Sequence, residues 1–91
     1  MKAHARADLA APDLLELLAL DDAAFKSRFA GTPILRTKRR GLLRNVCVAL
    51  GNIGDTNALP DLRRAAEDSE PLIAEHAQWA IEQISARQKA N

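Results

Sequence analysis

The apolar residues between positions 42 and 53 recur at spacings of three, four and seven. This spacing restricts the segment to one kind of structure, because it places the apolar side chains along one side of an α-helix. The stripe predicts a helix that buries one face and leaves the other open to solvent. Its members are Leu42, Leu43, Val46, Ala49, Leu50 and Ile53.

The same pattern returns thirty-one residues later, where LRNVCVALGNI (43–53) aligns with AEHAQWAIEQI (74–84). In this alignment Val46 corresponds to Ala77 and Ile53 to Ile84. A period of about thirty residues, with small apolar residues where helices cross, is typical of stacked helical hairpins. The sequence therefore predicts an all-α fold of five to six helices, arranged as a short HEAT-like stack of antiparallel helical hairpins (an α-α superhelix).

Start and stop signals predict where the other helices lie. They indicate helices over about 12–19, 23–30, 57–67 and 70–86, besides the segment 42–53. The expected N-caps are Asp21 or Asp22, Asp55 or Thr56, and Ser69, and Gly31 is expected to end the helix over 23–30. The Thr32 hydroxyl is expected to cap the basic segment, with Pro33 at its first helical position. Gly41 is expected to break or bend it. The predicted divisions are a mobile N-terminal segment (1–11), the helical domain (12–86) and a C-terminal tail (87–91).

The cysteine content and the lack of long apolar stretches exclude several classes of protein. A single cysteine, Cys47, cannot form an internal disulfide, and no cysteine pair stands at metal-ligand spacing. We expect Cys47 to be a small buried hydrophobe, because no base adjoins it. Neither a membrane span nor a signal peptide is indicated. The sequence predicts a cytoplasmic protein without a membrane partner or a small-molecule substrate.

Catalysis by this chain is not expected. Adjacent acids such as Asp21 and Asp22 diverge on a helix, so they offer no paired carboxylates for acid-base work. The sequence has no glycine-rich phosphate loop. His76 lacks a second metal ligand at a helical spacing, and a surface or hydrogen-bonded histidine is the simpler interpretation. We therefore predict no catalytic residue and no metal site.

The formal net charge is only +1, but basic and acidic residues are concentrated in different parts of the chain. Residues 36–44 contain five basic residues and no acid, whereas 55–86 contain seven acids and two arginines. A polyanion is therefore expected at the middle of the chain. The alternative is that the charge run is only a solvated face. The candidate RNA-binding residues are Arg36, Lys38, Arg39, Arg40, Arg44 and Asn45.

The side of the helix opposite Val46 carries polar groups that suit RNA. Guanidinium and amide groups meet phosphates and base edges, while flat side chains stack on unpaired bases. Glycines 41 and 51 would let a nucleic-acid backbone approach. Trp79 has a second interpretation as partial core. The expected surface consists of Arg40, Gly41, Arg44, Asn45, Val48 and Asn52, with Glu75, His76, Trp79 and Gln83 from the last helix.

The segment FAGTPILRTKRRGLLRNVCVALGNIGD (29–55) resembles the C-terminal part of epoxyqueuosine reductase. In that family a phenylalanine, a GTP-or-GSA-type tripeptide, spaced arginines and an LRN...ALGN run recur, and the similarity covers about 8–86. The resemblance implies a C-terminal HEAT-like segment of a cytoplasmic enzyme that reduces epoxyqueuosine to queuosine at the tRNA wobble position. The family's cobalamin, its two [4Fe-4S] clusters and its catalytic acid belong to upstream domains. The resemblance therefore implies no cofactor and no enzyme activity for this chain.

What the resemblance implies for function is a helical module that helps to hold a tRNA anticodon arm. Arg36, Arg40, Arg44 and Asn45 match the motif, whereas Lys38 and Arg39 stand where the family pattern is looser. Two other interpretations stay open: a protein-interaction scaffold that binds a partner on its concave face, and an inert remnant of a truncated gene. The sequence does not decide between a fragment, a truncated gene product and a stand-alone protein.

Overall fold

Residues 11–90 are described by a computed structural model, and the helices in this range confirm the all-α prediction. The predicted N-terminal segment lies outside the described residues, except for Ala11. No strand occurs in the described range. HEAT-like stacking stays a prediction. The elements are α1 (Ala11–Leu18), α2 (Asp22–Phe29), α3 (Ile34–Ile53), a 3₁₀ turn (Thr56–Ala58), α4 (Leu59–Ala65) and α5 (Pro71–Ala90).

The hydrophobic core lies mainly between α3 and α5, which make the most extensive contact between elements. Small side chains at Ala77 and Ala80 are fully buried, and they let the two helices approach closely. The pairing of Val46 with Ala77 in the sequence repeat agrees with this packing, since both residues are buried. α1 and α4 complete the core with Leu14, Leu18 and Leu62. Fully buried core residues from α3 and α5 are Leu43, Cys47, Leu50, Ile73, Ala77, Ala80 and Ile84.

The apolar stripe of α3 is shorter than predicted. Ile53 is 63% exposed, whereas Ile84, its counterpart in the repeat, is fully buried. α3 ends at Ile53, and Gly54 packs against α5: a Cβ at Gly54 would lie 3.4 Å from the Cδ1 atom of Ile84. Because the glycine occupies the contact with α5, Ile53 projects into solvent. The prediction that Ile53 belongs to the core is therefore wrong.

Three of the predicted helix-boundary signals are confirmed. The carboxylate of Asp21 accepts a hydrogen bond of 2.8 Å from the backbone N–H of Ala24 and caps α2. Asp55 accepts one of 2.9 Å from the N–H of Asn57 at the start of the 3₁₀ turn. Gly31 follows α2 with a φ of 78°, a conformation that glycine adopts without strain.

Two other predicted caps are replaced by different contacts. The Thr32 hydroxyl donates to the Phe29 carbonyl at 2.8 Å, so it closes the end of α2 and does not cap α3. Before α5, the carboxylate of Asp68 accepts from the N–H of Glu70 at 2.9 Å, where a Ser69 cap was expected. Short polar side chains compete for such positions.

The break in the basic segment occurs at Lys38 and not at Gly41. Lys38 has φ 66° and ψ 159° inside α3, a region that is essentially reserved for glycine and costs a residue with a side chain about 1–3 kcal/mol. Gly41 is helical, and a Cβ there would lie 2.7 Å from the Cγ2 atom of Thr37. α3 thus consists of a short first part (34–37) and a long second part (39–53).

α5 extends to Ala90, four residues beyond the predicted helix end. In this extra turn Arg87 donates 2.6 Å hydrogen bonds from Nη1 to the carbonyl of Gly51 and from Nη2 to that of Gly54. A cation at the C-terminal end of a helix satisfies unpaired carbonyls and interacts favourably with the helix dipole. The last turn of α5 therefore fixes the end of α3.

Candidate nucleic-acid interface

Arg40 and Arg44, one turn apart on the second part of α3, present cationic groups to solvent; we call this pair the arginine ridge. Arg40 is exposed and Arg44 half-buried. The Nε atom of Arg44 donates to the Oδ1 atom of the exposed Asn45 at 2.9 Å. Within residues 11–90 the ion pairs join Arg39 to Asp68 and Arg64 to Asp61, so no carboxylate there forms an ion pair with the ridge.

Arg39 has the opposite environment, although it adjoins Arg40. Its Nε donates to the Leu20 carbonyl at 2.7 Å, its Nη1 to Asp68 Oδ1 at 3.3 Å, and its Nη2 to Asp68 Oδ2. Both side chains of this ion pair are only 14% exposed. Arg39 therefore ties together the α1–α2 connection, α3 and the α4–α5 connection. The sequence grouped it with the RNA-binding candidates, but its donors are already taken up inside the fold.

The ion pair shifts both partners toward their charged forms. The hydrogen bond from Arg39 lowers the pKa of Asp68, against the opposing effect of burial, and the backbone N–H of Glu70 lowers it further. The same hydrogen bond raises the pKa of Arg39. The pair is therefore ionised throughout the neutral range.

Arg36 and Lys38 are exposed, but the break in α3 separates Arg36 from the ridge. Residues 36, 40 and 44 would share one side of an uninterrupted helix, whereas the non-helical Lys38 disrupts that register. A polar pocket of about 230 Å³ lies beside the break. It is lined by Asp22, Lys38, Arg39, Arg40 and Glu70. Asp22 and Glu70 thus lie beside the basic residues of α3, although the sequence of this segment predicted a purely basic surface.

A second pocket, of about 320 Å³, lies between α3 and α5 and is lined by Val48, Glu75, His76 and Trp79. We call it the α3–α5 pocket. These four residues belong to the polar face expected from the sequence, and the structure brings them together. Asn52 and Gln83, expected on the same surface, do not line this pocket.

The indole of Trp79 is half-buried and lies directly against Gly51. A Cβ at Gly51 would collide with the Cζ3 atom of the indole, so the glycine is required to seat the ring. Gly51 is itself buried, and the expectation that it admits a nucleic-acid backbone is wrong. The sequence offered two interpretations of Trp79, as part of the core and as part of a polar surface. In the structure it packs against the core and also lines the α3–α5 pocket.

His76 is held by a hydrogen bond of 2.8 Å between its Nδ1 atom and the carbonyl of Leu72. A carbonyl oxygen can only accept, so Nδ1 carries the proton. In the neutral ring Nε2 is then an acceptor. The hydrogen-bonded histidine expected from the sequence is observed.

Redox or nucleophilic chemistry has little support among the described residues. Burial raises the pKa of the Cys47 thiol to about 11, with a further contribution from the charge of Asp68. A buried thiol with this pKa is a poor nucleophile. No cluster of three or more potential metal ligands occurs in residues 11–90. In the same range no helix combines the length and apolarity needed to cross a bilayer.

Curated relatives match nearly the whole chain. It is 40% identical over 81 residues to the epoxyqueuosine reductase of Xanthomonas campestris, covering 88% of this chain and 23% of that protein. Identity is 39% over 79 residues to the Salmonella typhimurium enzyme of the same name, covering 87% and 21%. It is 35% over 85 residues to that of Escherichia coli, covering 93% and 22%. No protein-family model and no solved structure matches the chain.

The chain spans less than a quarter of the length of each of these relatives. The similarity extends well beyond the basic segment quoted above (29–55), because one alignment includes 85 of the 91 residues. The resemblance predicted from the sequence is confirmed: this chain is related over nearly its whole length to one segment of the epoxyqueuosine reductases.

Proposed function

We propose that this chain is an RNA-binding helical module of queuosine biosynthesis, which holds the anticodon arm of a tRNA and performs no chemistry itself. The observation that carries the proposal is the arginine ridge. Arg40 and Arg44 lie on the part of α3 that packs on the core, with their charges turned to solvent and without an ion-pair partner in the described range.

The groups on the ridge match the chemistry of a nucleic-acid backbone. Guanidinium groups bind phosphate through charge-assisted hydrogen bonds. Asn45 adds an amide beside Arg44, and its Oδ1 atom accepts from the Nε atom of that arginine. This contact orients the guanidinium and leaves its Nη groups available. Arg36 and Lys38 supply further contacts from the other side of the break, whereas Arg39 is left out because Leu20 and Asp68 occupy it.

The similarity to epoxyqueuosine reductases also supports an RNA-binding role. The relatives are named for reduction of epoxyqueuosine, which by the family resemblance is a nucleotide in the tRNA wobble position. A segment that makes up under a quarter of such a protein and has a buried, inert thiol suits a role in holding the RNA.

The test is a titration of a fluorescently labelled anticodon stem–loop from a queuosine-family tRNA, followed by anisotropy at several salt concentrations. We expect affinity to fall with salt as counterions are released. The double variant Arg40→Ala/Arg44→Ala should weaken binding about tenfold or more, and reduce the slope of log affinity against log salt by about 1.4–1.8.

A matched control removes two arginines elsewhere. Arg63→Ala/Arg64→Ala makes the same change in net charge on α4, where both residues are exposed. This variant should keep most of the affinity. Absence of binding, or equal losses in the two double variants, would contradict the proposal. A protein partner that stays bound after nuclease treatment would instead favour the scaffold interpretation.

A further inference from the structure

We propose that the α3–α5 pocket receives an unpaired base of the bound RNA, and that it prefers a base with an exocyclic amino group. The inference rests on the proposed function, because the arginine ridge supplies the affinity that brings the RNA to this face. The pocket would then add selectivity among bases.

The pocket continues the ridge along the same helix. Arg40, Arg44 and Val48 follow one another at intervals of four residues, so they form one row on the surface of α3. Each step of four residues along that row advances about 6 Å along the helix axis. A strand whose phosphates lie on Arg40 and Arg44 therefore passes the mouth of the pocket at Val48.

The walls of the pocket suit a flat, uncharged ring. Val48 and Trp79 provide an apolar surface, and Trp79 is held in place because its ring rests on Gly51. Stacking on an aromatic side chain contributes about 1–3 kcal/mol per base. The volume of about 320 Å³ leaves room for one base together with solvent.

The polar groups of the pocket are acceptors. Glu75 presents a carboxylate, and His76 presents Nε2, because its Nδ1–H is committed to Leu72. A carboxylate repels a phosphate but accepts hydrogen bonds from an amino group. The charge of the pocket is thus opposite to that of the ridge, which favours phosphates on Arg40 and Arg44 and a base against Glu75. Adenine, cytosine and guanine carry such an amino group, whereas uracil does not.

The fluorescence of Trp79 provides a direct signal from the pocket, because the chain has one tryptophan and no tyrosine. The probes are two anticodon stem–loops that share one stem and carry either adenines or uracils in the loop. Binding is measured by anisotropy, and occupation of the pocket by quenching of Trp79 emission. We expect quenching that saturates together with binding, and tighter binding of the adenine loop.

Glu75→Gln should reduce the preference for the adenine loop about fivefold, because it replaces a charge-assisted hydrogen bond by a neutral one. Glu82→Gln is the matched control: it makes the same charge change on α5 about 10 Å away, outside the pocket. Neither substitution touches a buried residue, so both variants are expected to fold.

The outcomes separate the two proposals. If neither stem–loop binds, the proposed function fails and this inference fails with it. If both bind through the arginine ridge but Trp79 emission does not change, the pocket proposal is overturned and the proposed function stands. Equal affinity for the two loops, or equal effects of the two glutamate variants, would also overturn it.

Discussion

The two parts of α3 on either side of Lys38 have similar apolar content but very different surroundings. In the first part Ile34 and Leu35 are 40% and 38% exposed, whereas in the second part Leu43 and Leu50 are fully buried against the core. Leu35 lines a pocket together with Phe25 of α2, which is buried apart from the main core and whose ring centroid lies 5.2 Å from that of Phe29. The comparison teaches that core packing fixes the ridge, whereas Arg36 lies on a part of α3 whose apolar side chains stay partly exposed.

The largest effect should come from removing core volume in the second part. Leu50→Ala is expected to lower the free energy of unfolding by about 2–5 kcal/mol, because it leaves a cavity between α3 and α5. Leu35→Ala, in the first part, should lower it by less than about 1 kcal/mol, since much of that side chain is already in water. Urea denaturation followed by circular dichroism measures both values. Similar losses would mean that the two parts share one core.

A smaller effect should distinguish the neighbouring arginines at the start of the second part. Arg39→Ala should destabilise the fold by about 2 kcal/mol, between the values typical of exposed and buried ion pairs, because Asp68 and the Leu20 carbonyl lose their donors. Arg40→Ala should change stability by less than about 0.5 kcal/mol. The same denaturation experiment compares them. RNA binding should rank the two single variants in the reverse order, provided that Arg39→Ala is assayed below its unfolding transition.

Acid should weaken the tie between Arg39 and Asp68. The folded-state pKa of Asp68 is lowered by Arg39, so its contribution to stability is present above the ordinary carboxyl pKa. That contribution is lost as the pH falls from about 4 through the lowered value. Asp68→Asn should therefore show a shallower loss of unfolding free energy in this range, by up to about 1.4 kcal/mol per pH unit. Asp61→Asn, on an exposed ion pair, is the control and should leave the slope almost unchanged. Identical slopes for wild type and Asp68→Asn would rule out this role.

The smallest effect concerns the break itself. Lys38→Gly should raise the free energy of unfolding by about 1 kcal/mol, because relief of the positive-φ strain exceeds the added entropy of the unfolded chain. Lys38→Ala removes the same charge but keeps a Cβ, so it should give no such gain. A loss of stability in Lys38→Gly would show that the lysine side chain contributes more than its backbone conformation costs.

Much of the fold could be predicted from the sequence because its core follows a one-dimensional pattern. The stripe from Leu43 to Leu50 and the repeat that pairs Val46 with Ala77 predicted the contact between α3 and α5. Local capping chemistry narrowed two helix starts to adjacent pairs of residues, of which Asp21 and Asp55 are the caps observed. The stripe and the caps depend on neighbours within a few turns, and the repeat is a pattern in the sequence itself, so a single sequence displays all three.

Features that depend on distant contacts were missed. A glycine at position 41 predicted the break, but the non-helical residue is Lys38. Arg39 and Arg40 are identical in type, and charge composition does not separate them. Helical register carries a usable signal, since Arg39 precedes Leu43 by four residues and therefore extends the core-facing stripe. A charged side chain on that stripe requires a partner, and Asp68 provides it from 29 residues away.

Through its hydrogen bonds to the carbonyls of Gly51 and Gly54, Arg87 connects the last turn of α5 to the C-terminal end of α3. Loss of the Arg87 guanidinium would uncover the carbonyls of Gly51 and Gly54 and loosen the turn on which the indole rests. A change in the last turn of α5 would in this way reach a site that lies about 35 residues earlier in the sequence. Amide exchange at the end of α3 would be the first property to change.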